Sequence, residues 1–153
     1  MWLDEHLRHS RGYGIHSPFL YRIVREAMMP RGVREGDMAL FDALRSIGVG
    51  RRTATRLHNL HVVENYKVWG IDECKGGGLM VATPECAEER VVEMMRTLGE
   101  QGGALCVLHP VGNRPRRELC RRLVAQHSSM SASKVGFTLF FARHDLRKQH
   151  ITL

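Results

Sequence analysis

The sequence predicts an α/β fold: a mostly parallel sheet with an antiparallel last strand, preceded by N-terminal helices. Three observations predict it. Apolar runs with strand character alternate with helical patterns from residue 66 onward. The last two runs are joined too tightly for anything but a hairpin. The chain before them carries helical periodicity only. At 153 residues one domain is expected, with a helical part over 1–62 and an α/β part over 63–153.

The stretch through Ile15 is polar and interrupted by Gly12 and Gly14, which predicts an arm or loop. Ser17-Pro18 then reads as an N-cap and first helical position. Phe19, Ile23, Val24, Ala27 and Met28 follow at helical spacing, and Pro30 and Gly32 stop the helix. Asp37 is placed to cap a second helix, with Leu40, Phe41, Leu44 and Ile47 on one face and Gly48 at its end. A third, short helix is expected over 53–60.

Strands are predicted over 66–71 and 79–82, separated by Gly76-Gly77-Gly78. Thr83-Pro84 opens a helix carrying Val91, Val92, Met95 and Leu98, ended by Gly99 to Gly103. Ala104 to Leu108 is a third apolar strand. Pro115 opens a helix with Leu119, Leu123 and Val124 inward and Arg116, Arg117, Arg121 and Arg122 outward. Residues 131–135 and 137–142 form the closing strand pair around Gly136.

Composition narrows the function. The hydrophobic fraction of 43% and charged fraction of 25% are those of a soluble globular domain. No apolar run approaches the ~20 residues of a membrane helix. The acidic start, Met-Trp-Leu-Asp-Glu-His, predicts no secretory leader and a cytoplasmic protein. Cys74, Cys86, Cys106 and Cys120 lack paired spacing and read as reduced thiols. The net charge of +7 admits a polyanion or nucleic-acid partner, but no aromatic residues interleave the basic residues over 114–122 to stack on bases.

Two terminal strings carry a resemblance. Gly14-Ile15-His16-Ser17-Pro18-Phe19 resembles the GxHSPF entry to the first helix of small bacterial class I S-adenosylmethionine-dependent methyltransferase-like proteins. The run from Gly136 to Arg143, followed by Lys148-Gln149-His150, resembles the closing strand and KQH tail of that group. The resemblance implies a Rossmann-like, methyltransferase-type sheet. The chain departs from the family where the cofactor loop belongs: Arg51 to Leu57 shows no strand leading into a glycine turn. The sheet expected is therefore truncated. The function expected is that of a non-catalytic or degenerate relative, with no cofactor. The alternatives are an active methyltransferase with a rearranged S-adenosylmethionine site, or a polyanion-binding module. A sheet that has lost strands exposes an edge, so a homo-oligomer or protein partner is expected to cover it unless the N-terminal helices do.

The candidate cofactor remnant is Asp72 and Glu73 at a strand end, followed by Gly76, Gly77 and Gly78. Carboxylates beside glycines suit a ribose and a close backbone approach, although a solvated loop has the same composition. The candidate anion site is Gly48-Val49-Gly50 leading into Arg51, Arg52 and Arg56, where a helix N-terminus and guanidinium groups would hold an anion. A helix C-cap followed by a turn accounts for the same string. His58 and His61 have metal spacing but no third ligand, so exposed histidines and no metal are expected. His109 ends a strand, a position open to a general base but without a partner carboxylate in the sequence. Arg114, Arg116, Arg117, Arg121 and Arg122 form a basic helix, expected as a solvated face.

Overall fold

The computed structural model describes residues 17–143 and 145–153. The arm expected through Ile15, and the Gly14-Ile15-His16 part of the first string, lie outside the described residues. The chain divides into two compact units, one ending at Asn65 and one spanning Tyr66–Leu153, three residues from the boundary expected at 62/63.

In the first unit, α1 spans Pro18–Ile23 and runs on into a π-helical turn over Val24–Met28. Ser17 caps it, its Oγ accepting from the Leu20 N–H at 3.3 Å. The expected apolar stripe is buried: Phe19, Ile23, Val24, Ala27 and Met28, joined by Leu20. Helix α2, Ala39–Ser46, begins where Asp37 Oδ1 accepts from the Ala39 N–H at 2.9 Å. Leu40, Phe41 and Leu44 are buried, but Ile47 lies beyond the last turn and is 51% exposed. Helix α3 spans Arg51–Val63, longer at both ends than the 53–60 expected. Gly50 stands at its N-cap, so the glycines before it open a helix as well as closing one.

The second unit is α/β, built on a six-stranded mixed sheet. Its elements are β1 (Trp69–Ile71), β2 (Leu79–Ala82), α4 (Glu88–Gln101), β3 (Ala104–His109), α5 (Arg114–Gln126), β4 (Met130–Lys134), β5 (Gly136–Phe141) and β6 (Gln149–Thr152). The spatial order is β1-β2-β3-β5-β4-β6. Strands β1, β2 and β3 are mutually parallel. The hairpin inserts β5 antiparallel between β3 and β4, as the tight junction at Gly136 requires. One strand was not legible: β6, in the tail after the hairpin, pairs parallel with β4 and forms the second edge. The antiparallel strand is thus not the last one.

The strands β2, β3 and β5 read as apolar runs, broken only by His109 at the end of β3 and Thr138 within β5, because both their faces are buried. On one face Met80, Leu105, Val107 and Phe140 pack with Val91, Met94 and Leu98 of α4 and Leu119, Cys120 and Leu123 of α5. Each such side chain contributes about 1.5–3 kcal/mol of transfer free energy. Helix α4 starts at Glu88, not at Thr83-Pro84, and its buried residues are Val91, Met94 and Leu98. Met94 is fully buried, the expected Met95 is partly buried against the same core, and Val92 is 40% exposed. Among the described residues no helix is long and apolar enough to cross a membrane.

The triple glycine is a packing feature. A Cβ on Gly78 would fall 2.0 Å from the Val68 carbonyl oxygen. The carbonyl belongs to the β1–β2 ladder, where Val68 O accepts from the Leu79 N–H at 3.1 Å. It cannot retreat without breaking that bond. Gly78→Ala should therefore lower the unfolding free energy by more than about 1 kcal/mol in urea titration. Gly99→Ala, inside α4 with open space at its Cβ position, should be neutral or raise stability by about 0.5–1 kcal/mol.

Candidate functional site

In open α/β sheets, ligands bind outside the carboxyl ends of the strands. Here those ends carry Asp72 after β1, Thr83 after β2 and His109 closing β3. Asp72 adopts φ 56°, a left-handed conformation that Asp tolerates better than most residues. Its N–H donates to Val81 O at 2.8 Å, which keeps it on the ladder. Its carboxylate then reaches across to β2. Oδ1 accepts from the Thr83 N–H at 2.7 Å, and Oδ2 from the Thr83 hydroxyl at 2.6 Å. Both oxygens of the expected ribose ligand thus hold the chain leaving β2.

Around this clasp lie Cys86, Arg90 and Arg116. Arg90 Nη1 approaches the Asp72 carbonyl at 3.4 Å. Burial, and then the charge of Asp72 and a hydrogen bond to it, push the Cys86 thiol up to about 11. It remains S–H at neutral pH and is no nucleophile. Arg116, expected outward, is instead 8% exposed. It shares the inward stripe of α5 with Leu119, Cys120 and Leu123. Its Nη2 donates to Pro84 O at 3.0 Å and also to Cys86 O. A guanidinium on a long apolar stem can end a buried stripe in this way. Its Nη1 is buried without a hydrogen-bond partner among the described residues.

The glycines lie at the other end of the sheet. Gly77 N–H donates to Gly102 O at 2.9 Å, and Ala104 N–H donates to Gly78 O at 2.9 Å. A Cβ on Gly76 would meet Gln101 at 2.3 Å, and one on Gly103 would meet Gly78 O at 2.2 Å. The expected cofactor set is thereby divided: Asp72 sits at the carboxyl end of β1, and Gly76, Gly77 and Gly78 at the amino end of β2. Glu73 joins neither group. It is exposed and paired with Lys75 at 3.4 Å, on the wall of an open cleft of about 380 Å³ that runs beside β1 and is lined by Lys67 to Ile71, Glu73 and Lys75.

The candidate anion residues are also divided. Arg52 donates to Met28 O and Met29 O, each at 3.1 Å, and to Pro30 O at 2.5 Å. Arg56 Nε donates to Met28 O at 3.1 Å. These are the carbonyls that the end of the first helix leaves unpaired, and cations suit that end of the dipole. Burial, and then the Arg52 charge, pull Arg56 down to about 10. Arg51 lies over the Phe41 ring at 5.7 Å. On α5, Arg121 pairs with Glu118 at 2.7 Å and Arg122 with Glu88 at 3.0 Å, so acidic neighbours offset part of that basic face.

The histidines depart from expectation. His58 is fully buried, its Nε2 donating to Arg34 O at 2.7 Å. Among the described residues no group of three or more His, Cys, Asp or Glu is placed to hold a metal ion. His109 is buried and has a partner that the sequence did not indicate: Nε2 lies 2.8 Å from Thr138 Oγ1 on β5. Thr138 lies 3.2 Å from Ser133 Oγ on β4, and Ser133 lies 3.2 Å from His150 Nε2 on β6. His150 Nδ1 lies 2.7 Å from Ser131 Oγ. Period-2 alternation across the register of β3, β5, β4 and β6 was the signal for this row, and it required the unseen strand β6.

No family model, curated protein or solved structure compared with the chain matches it.

Burial lowers the pKa of His61, His109 and His150 from the ordinary 6.5; neighbouring His58, Arg117 and Lys148 respectively act in the same direction. A histidine with a depressed folded pKa binds more protons in the unfolded state. Its contribution to stability is complete above 6.5 and is lost as pH falls through the folded values. Urea unfolding at a series of pH values should show stability declining from near pH 6.5 downward, and His109→Gln should flatten the decline.

Proposed function

We propose that this chain is a shortened, non-catalytic relative of the class I S-adenosylmethionine-dependent methyltransferases, with a truncated Rossmann-like sheet and a binding or scaffolding role. The observation that carries the reading is the division of Asp72 from Gly76, Gly77 and Gly78. A cofactor site of the family kind needs the carboxylate and the glycine turn on one side of the sheet. In this chain Asp72 is taken up by Thr83, and the space above Gly78 and Gly76 is filled by Val68 and Gln101. The parallel strands β1 to β3, with β5 antiparallel beside them, support the ancestry. The same division weighs against an active enzyme with a site built from these residues. The acidic partners of Arg121 and Arg122, and the carbonyl partners of Arg52, Arg56 and Arg116, weigh against a polyanion module.

A binding role draws support from β1. Its ladder to β2 uses Val68 O and Asp72 N–H, so the backbone groups of the alternate residues Trp69 and Ile71 point away from β2. Edge backbone of this kind is what a second subunit or protein partner would pair with.

Calorimetric titration of the full chain with S-adenosylmethionine and S-adenosylhomocysteine tests the proposal. The expected result is neither heat nor thermal stabilisation at millimolar ligand. Stoichiometric binding near micromolar Kd, about 8 kcal/mol, would overturn it.

A further inference from the structure

The edge strand β1 lacks the devices that guard a sheet edge against pairing. Guarded edges carry lysine, proline or a bulge. The residues of β1 are Trp69, Gly70 and Ile71, with no charge, no proline and no bulge in their register with β2. The ladder to β2 leaves the N–H and C=O of Trp69 and Ile71 pointing outward, and among the described residues no strand pairs with them. Their side chains are partly exposed, and Val68 before them is 45% exposed. The flanks are charged but balanced: Lys67 precedes the strand, Asp72 and Glu73 follow it, and Lys75 pairs with Glu73. Two lysines against two carboxylates give residues 66–75 no net charge, in a chain whose net charge is +7.

We propose that the partner of this edge is a second copy of the chain, its β1 antiparallel to the first about a two-fold axis at Gly70. The inference rests on the binding role proposed above and names its occupant. An axis at Gly70 sets Trp69 of each copy opposite Ile71 of the other. These are the residues whose backbone groups point outward, so each such pair can exchange both its N–H···O bonds. The same register sets an aromatic side chain beside a β-branched one on one face, a favourable cross-strand pair. Gly70 meets Gly70 in the close pair, where Cα atoms lie about 4.5 Å apart.

Charge selects the same arrangement. Antiparallel strands bring the start of one against the end of the other, so Lys67 of one copy faces the Glu73 end of its neighbour. A Cβ on Gly70 would lie 3.2 Å from Glu73 Cβ and 3.1 Å from Lys75 Cδ, so the Glu73–Lys75 pair lies against Gly70. The axis therefore brings the two Glu73–Lys75 pairs together, each carboxylate nearing a second ammonium group. Neighbouring registers lack these matches. An axis at Trp69 sets Lys67 against Ile71. An axis at Ile71 sets Trp69 against Glu73, where the chain has already left the strand: Asp72 is at φ 56°, and Glu73 O accepts from the Lys75 N–H at 3.1 Å. The edge is short, so a reversible association in the micromolar range is expected, not an obligate dimer.

Sedimentation velocity of the full chain across the micromolar range, with amide hydrogen exchange by NMR on the same samples, tests the inference. The wild-type chain should pass from monomer to dimer as concentration rises, and the Trp69 and Ile71 amides should become protected in step. Ile71→Pro removes an N–H that the β1–β2 ladder does not use, a change an edge strand tolerates; this variant should stay monomeric, with the Trp69 amide unprotected. Trp69→Lys covers the case in which the proline variant does not fold. It leaves the backbone intact, places a charge on the edge, and should raise the dimer Kd about tenfold or more. A wild-type chain that is monomeric at every concentration would overturn the inference. So would a dimer whose Trp69 and Ile71 amides exchange as fast as the monomer's, or one that Trp69→Lys leaves unchanged. These outcomes do not bear on S-adenosylmethionine binding, whose appearance would overturn the non-catalytic reading and leave the edge pairing standing.

Discussion

The return from β1 to β2 is the constraint on which the α/β unit turns. Parallel neighbours are ordinarily joined by a dozen residues or more, usually through a helix. Here the seven residues from Asp72 to Gly78 make the journey. So short a path must reverse sharply at the carboxyl end of β1 and lie close against the strands at the amino end of β2. Asp72 accomplishes the first in a left-handed conformation, with its carboxylate fastening Thr83. The glycines accomplish the second, since a side chain at Gly78 or Gly103 would strike backbone. Residues that resemble a cofactor-binding signature thus follow from the geometry of one tight connection.

The same economy applies to the positive charge. Arg52, Arg56 and Arg34 reach carbonyls at the end of the first helix and its π-turn. In the other unit Arg116 reaches the carbonyls of Pro84 and Cys86. A guanidinium satisfies two or three carbonyls at once where a helix or strand stops without a partner. Part of the net charge of +7 is accordingly internal structure.

Helices and strands with one-sided periodicity or unbroken apolar runs were legible in the sequence: α1, α2, β2, β3, α5 and the β4–β5 hairpin all lie where their residues predict. The start of α4 was not, because Thr83 is drawn to Asp72 across a strand boundary and cannot also cap the helix. Strand β6 was not, because Gln149-His150-Ile151-Thr152 is short and mostly polar, and it becomes a strand only by pairing with β4. The site was least legible. Asp72 and the glycines stand out in the sequence, yet their separation to opposite ends of the sheet depends on register, which sequence spacing does not carry. Arg116 looked like surface because its charge masks its place on the Leu119, Cys120 and Leu123 stripe. The row from His109 to His150 depends on four strands meeting in one order.

The central claim is that Asp72 is a structural clasp and not a ligand. A double-mutant cycle on Asp72→Ala and Thr83→Val, read by urea unfolding, tests it most directly. A clasp predicts that the two substitutions are strongly non-additive, with a coupling energy of about 0.5–3 kcal/mol. Additive effects, or an Asp72→Ala variant as stable as the wild-type chain, would contradict the account and return the carboxylate to the list of groups kept for a ligand.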